Sequence, residues 1–168
     1  MSFTNDQDYT RDLIKKIICK IKEVQEIHDF VASTWGEPLT IFIAANEQFK
    51  PPREDCPYLA FYSIDQRETG VEFDKSTIPL AVQFCTENSD DEEIEIIVSP
   101  PMLIKEHVGF SDVEHLSQLV SKAILDMKGI GAIISTVGKT GYKNEYPFWI
   151  SESQFNFKFH QSLMGDVF

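Results

Sequence analysis

The chain has 168 residues, 42% of them apolar and 13 of them phenylalanine, enough to offset the entropy of ordering and to bury roughly 70% of the unfolded surface. Its 15 Lys and Arg stand against 27 Asp and Glu, and the net charge of −12 repels phosphate, so sequence-specific nucleic-acid binding is not expected. Cys19, Cys56 and Cys85 are scattered without a CxxC pair, and the N-terminus is polar and acidic with no long apolar run. One domain is therefore expected, reduced and intracellular, with no zinc site, signal peptide or membrane span.

From Asp8 to Thr34, Leu13, Ile14, Ile17, Ile18, Ile21, Val24, Ile27 and Val31 recur mostly at steps of three or four, which predicts one amphipathic helix. Asp6 or Asp8 would cap its start and Gly36 with Pro38 would end it, while Lys15, Lys16, Lys20 and Lys22 occupy the outer face. Leu39 to Ala44 suggests a first strand, followed by a Pro51-Pro52 loop. Tyr58 to Ile64 and Thr77 to Cys85, rich in aromatic and branched residues, predict a long-looped hairpin around the polar segment Asp65 to Ser76. Pro79 has no N–H for a ladder, so the second strand starts irregularly or has an open side there. Asn88 to Glu93 is an acidic tip, and Ile94 to Val98 with the Pro100-Pro101 break forms an extended connection.

A second helix is expected from Ser111 to about Met127, with Ser111 as N-cap, Glu114 as its capping-box partner, and Val113, Leu116, Val120 and Ile124 on one face. Gly129 marks its end. Ile133 to Val137, a turn at Gly138 to Gly141, and Phe148 to Phe159 supply the last strands. In the final strand Phe155, Phe157 and Phe159 alternate with Gln154, Asn156 and Lys158, which gives one apolar and one wet face. Residues 1–7 and 161–168 are expected to be flexible tails.

Gly138-Lys139-Thr140 resembles the end of a phosphate loop, but the position that a Walker A loop requires as glycine is Ile133, and no helix pattern follows. His28, His107, His115 and His160 have no ligand or catalytic spacing, and no GxSxG or HExxH occurs. Cys56 and Cys85 have no histidine near in sequence and are expected to be packing residues. No catalytic residue, cofactor or metal is expected.

The order of features resembles the tail terminator proteins of long-tailed bacteriophages and prophages. It runs from an N-terminal helix to the opening Glu54-Asp55-Cys56-Pro57 into strand Tyr58-Leu59-Ala60-Phe61-Tyr62, then an acidic loop and the strand Ile78 to Cys85. A helix, the small apolar stretch Lys128 to Thr136, a Gly141-Tyr142 turn, and a strand beginning Trp149-Ile150-Ser151-Glu152-Ser153 complete it, covering about residues 8–162. The connection Asn88 to Gly109 is longer than in the shorter members of that family.

The resemblance implies an α/β (α+β) protomer, a mostly antiparallel four- to five-stranded sheet with two main helices packed on one face. It implies a non-enzymatic protein made in the bacterial cytoplasm that caps the tail tube as a hexameric ring at the head-proximal end of the virion tail. The expected partners are further copies of itself, the tail-tube protein and the head-tail connector protein. Candidate contacts are Arg67, Glu68, Glu72, Phe73 and Asp74 in the polar loop, and Glu152, Gln154, Asn156 and Lys158 on the wet face of the last strand. The same acidity also fits an immunity-type inhibitor that binds a basic partner.

Overall fold

In the computed structural model, which describes residues 5–44, 51–63, 77–88, 93–98, 102–145 and 147–159, the N-terminal apolar stripe forms two helices in place of the single one expected. α1 (Asn5–Glu23) buries Leu13, Ile14, Ile17 and Ile21, and α2 (Gln25–Trp35) buries Ile27 and Val31. Between them Val24 takes extended dihedrals, φ −89° and ψ 97°. Its N–H donates to Ile21 O and its carbonyl accepts from Ile27 N–H, so the break leaves few backbone groups unpaired. No Gly or Pro marks this position; the break follows from tertiary packing, because α1 and α2 both lie against a third helix. α2 ends at Gly36 as expected, with φ 67°, a left-handed position that favours glycine, and its N–H reaches Ala32 O.

β1 (Thr40–Ala44), β2 (Tyr58–Ser63) and β3 (Thr77–Glu87) follow the predicted strands. β1 runs parallel to β2, β2 and β3 are antiparallel with Tyr58 opposite Cys85, and a single 3-10 turn, Arg53–Asp55, leads into β2. β2 ends at Ser63 opposite Leu80, so among the described residues β3 has no β2 partner at Pro79, the open side that proline requires.

Three expectations after β3 are corrected. The extended connection is itself a two-stranded antiparallel hairpin, β4 (Glu93–Val98) with β5 (Met102–His107). The third helix, α3 (Val108–Leu125), starts directly from β5 with His107 at its N-cap position and no side-chain cap bond; Ser111 and Glu114 lie inside it and form no capping box there. The expected turn at Gly138 to Gly141 is absent. β6 (Ala132–Glu145) runs through it with register shifts at Thr136/Gly138 and Thr140/Lys143, and its pairing with β7 (Phe148–Phe159) continues to Glu145 opposite Phe148. Glycine punctuates both turns and bulges, and here it serves bulges.

The main sheet has the order β1-β2-β3-β7-β6, antiparallel except for the β1–β2 pair. Among the described residues the fold is thus mixed α/β, with a five-stranded, mostly antiparallel sheet and three helices. Alternation along β7 sends Ser151, Ser153, Phe155 and Phe157 to the helix side, where they join Leu59, Phe61, Leu80, Val82 and Phe84. α1, α2 and α3 complete that core through Ile17, Ile27, Leu116, Val120 and Ile124, all with no exposed area. Burying each of the two phenylalanines contributes about 1.5–3 kcal/mol of transfer free energy. Trp35 Nε1–H donates to Glu87 O at 3.2 Å, tying the end of α2 to the end of β3.

Candidate functional site

With the helices gathered on one side, the sheet has a second face whose composition changes along it. Residues paired directly across antiparallel strands share a face, so Tyr58, Ala60 and Tyr62 of β2, Cys85 and Gln83 of β3, and Ile150, Glu152 and Gln154 of β7 all point away from the helices. At one end lies a small apolar cluster of Tyr58, Ala60 and Cys85, flanked by Phe42, Cys56, Tyr62, Phe148 and Ile150. Phe42 and Tyr58 meet edge to face, with ring centroids 5.6 Å apart, and the Arg53 guanidinium sits 5.1 Å from the centre of the Phe148 ring.

The other end is polar. Tyr62 Oη donates to Gln83 Oε1 at 3.3 Å, and Gln154 Nε2 donates to Glu152 Oε1 at 3.1 Å. Burial holds the Tyr62 hydroxyl above its ordinary range, and the nearby Glu152 carboxylate and Cys85 add to the shift by disfavouring a second negative charge. Glu152, Gln154 and Asn156 are half-buried and Lys158 is exposed, so the four wet-face candidates form one continuous polar strip along β7. The loop candidates Arg67, Glu68, Glu72, Phe73 and Asp74 lie outside the described residues.

At the apolar end the structure joins two residues that looked unrelated in sequence. Cys56 Sγ donates to Cys85 Sγ at 3.1 Å, and Cys85 is fully buried while Cys56 is partly so. The bond from Cys56 lowers the Cys85 pKa below the ordinary thiol value, helped by the Tyr58 hydroxyl and the Arg53 charge and opposed by burial. Cys56 is pushed up by the same bond, in which it is the donor, and then by burial. The pair therefore behaves as one acid that loses its first proton easily and holds its second. The usable signal in sequence was the hairpin register: once Tyr58 faces Cys85, Cys56 falls two residues away on the same face.

The described histidines have structural partners, and His160 lies outside the described residues. His28 Nε2–H donates to Lys22 O at 3.1 Å, the His115 ring meets Phe30 edge to face at 4.6 Å, and His107 lies 6.0 Å from the Trp149 ring. On the helix side, an open groove of about 860 Å³ runs between α1 and the segment after α3, where Lys15, Lys16, Lys20 and Lys128 outnumber Glu23 and Asp126. This concentrates positive charge on a chain whose net charge is −12. Among the described residues no group of three or more metal-ligating side chains occurs, and no helix is long and apolar enough to cross a membrane.

No protein-family model matches the chain, and a search of curated proteins gives no significant match.

Proposed function

We propose that the chain is a structural tail-assembly protein of the tail-terminator type, which caps a phage tail tube as a homo-oligomeric ring and forms part of the head-tail joining surface. The observation that carries this reading is the asymmetry of the sheet. α1, α2 and α3 share the core on one face, while the other carries the polar strip Glu152, Gln154, Asn156 and Lys158 along β7, with Lys158 exposed, beside a buried cluster of Tyr58, Ala60 and Cys85; the polar strip is the part suited to a neighbouring subunit. The order of elements, from helices through the β2–β3 hairpin to a helix and the long β6–β7 hairpin, supports the same reading.

Charge distribution supports head-to-tail association, in which two different surfaces of one protomer meet in a ring. The lysine-lined groove on α1 is opposite in charge to the acidic run of the sequence that includes Glu87, Asp90, Asp91, Glu92 and Glu93, of which 90–92 lie outside the described residues. A ring around a DNA conduit also gains from net negative charge, because an acidic lining repels the genome rather than binding it. The role needs no catalytic group, cofactor or metal. Its partners are further copies of the chain, the tail-tube protein and the head-tail connector, at the head-proximal end of the virion tail.

The direct test is electron microscopy and light scattering of the purified chain, alone and with assembled tail tubes. Hexameric rings, free or on tube ends, are expected. A strictly monomeric protein that leaves tube ends unchanged would overturn the reading, and capture of a single basic toxin without tail components would favour the inhibitor role instead.

A further inference from the structure

A covalent S–S bond is about 2.05 Å long, so the 3.1 Å between Cys56 Sγ and Cys85 Sγ leaves about 1 Å to close. We propose that Cys56 and Cys85 are a reversible dithiol–disulfide site, oxidised by a small organic disulfide and linking the segment that leads into β2 to strand β3. The site stands on its own geometry and is independent of any role in assembly.

Access and order differ between the two sulphurs. Cys56 is partly exposed and precedes β2, whereas Cys85 has no exposed area and lies opposite Tyr58 within the sheet. The oxidant therefore meets Cys56, and Cys85 is the resolving thiol behind it. A proton passed across the short S–H···S contact moves the negative charge from Cys85 to Cys56, which supplies the attacking thiolate.

With glutathione disulfide as oxidant, the Cys56 thiolate attacks one of its sulphurs. A mixed disulfide forms, the glutathione S–S bond breaks, and one glutathione leaves as a thiolate that takes up the proton passed to Cys85, which restores the Cys85 thiolate. The Cys85 thiolate then attacks Cys56 Sγ, the Cys56–Cys85 bond forms, and the second glutathione leaves and is protonated. The two protein thiols are oxidised and the small disulfide is reduced to two thiols. The Tyr58 hydroxyl and Arg53, which favour the anionic form of Cys85, favour its attack in the second step.

The bond would close a loop between positions 29 apart, removing freedom from the unfolded chain and fixing the entry to β2. Cys19, exposed on α1, serves as the internal comparison. The full chain is equilibrated with excess glutathione disulfide, denatured, alkylated and mapped by mass spectrometry.

The expected result is loss of two hydrogens from the peptide pair containing Cys56 and Cys85, no bridge to Cys19, and an unfolding temperature raised by about 5–10 °C that dithiothreitol reverses. In C85S the expected product is a lasting glutathione adduct on Cys56. If C85S does not fold, the wild-type map decides the question alone. Full alkylation of both Cys56 and Cys85 after equilibration, or a bridge that pairs either of them with Cys19, overturns the proposal.

Discussion

Gly109 leaves its side-chain space to Trp149: a Cβ built on Gly109 would fall on the indole at Nε1, Cδ1 and Cε2. The first turn of α3 and the start of β7 are fitted together through a missing methyl group, and both residues are buried. Gly109→Ala is expected to destabilise the fold by about 2–3 kcal/mol, since backbone and a buried ring must both shift. Its cost should shrink on a Trp149→Phe background, where the ring is smaller. Equal cost on both backgrounds, in urea titrations with matched m-values, would contradict the close fit.

Ser117 and Ser153 meet within the core, their hydroxyls 3.4 Å apart between α3 and β7. Replacing either one with alanine strands the other without its partner and is expected to cost about 1 kcal/mol. The double variant, with neither hydroxyl left to satisfy, should cost less than the sum of the two. A double-mutant cycle by chemical denaturation reads this coupling, and simple additivity would rule it out.

The contrast between what the chain announces and what it conceals has physical causes. β2, β3 and β7 were legible because period-two alternation with aromatic residues states strand and face together, and Phe155 and Phe157 are in the core as expected. The break at Val24 was not legible, since no residue there disfavours helix and the reorientation comes from packing on α3. The capping pattern at Ser111 misled because Gly109 allows the helix to begin one turn earlier against Trp149. The Cys56–Cys85 contact depends on strand register, which no local window contains. On the wet face, Glu152, Gln154, Asn156 and Lys158 were placed on one side of β7 from alternation alone, whereas the partial burial of the first three comes from neighbouring strands.

Alkaline pH should unfold the protein early. Burial is the largest cause holding Tyr58 and Tyr62 above the ordinary tyrosine value, and Cys56 is raised chiefly by its bond to Cys85. Above about pH 9–10 these groups ionise in the unfolded chain but keep their protons in the folded one, so the unfolded state binds fewer protons and stability falls as pH rises. Cys85 acts in the opposite sense, adding stability as pH rises toward the ordinary thiol value and losing it as pH falls through its lowered folded value. The urea midpoint is expected to drop between about pH 9 and 11, and Tyr62→Phe should make the drop shallower. A flat profile over that range would show the outer-face hydroxyls to be ordinary.

For assembly, Glu152→Lys and Lys158→Glu are expected to weaken ring formation at least fivefold while leaving the urea midpoint nearly unchanged for the exposed Lys158. Charge reversal at Glu72 and Asp74 tests the loop candidates in the same way. Sedimentation across a protein concentration series reads both effects, and higher salt should weaken association if the lysine groove takes part. A fall in stability with no change in assembly would remove these residues from the contact.

β6 forms one edge of the main sheet and pairs with β7 in three runs, 132–136, 138–140 and 143–145, divided by two register shifts. Ile133 and Val137 on this strand are exposed. An uninterrupted edge of this length would offer its outward N–H and C=O groups as a template for endless strand addition. Division into runs limits any incoming strand to a few consecutive rungs, with Ile133 inside the longest of them. The interrupted register therefore works against growth into a fibre along this edge.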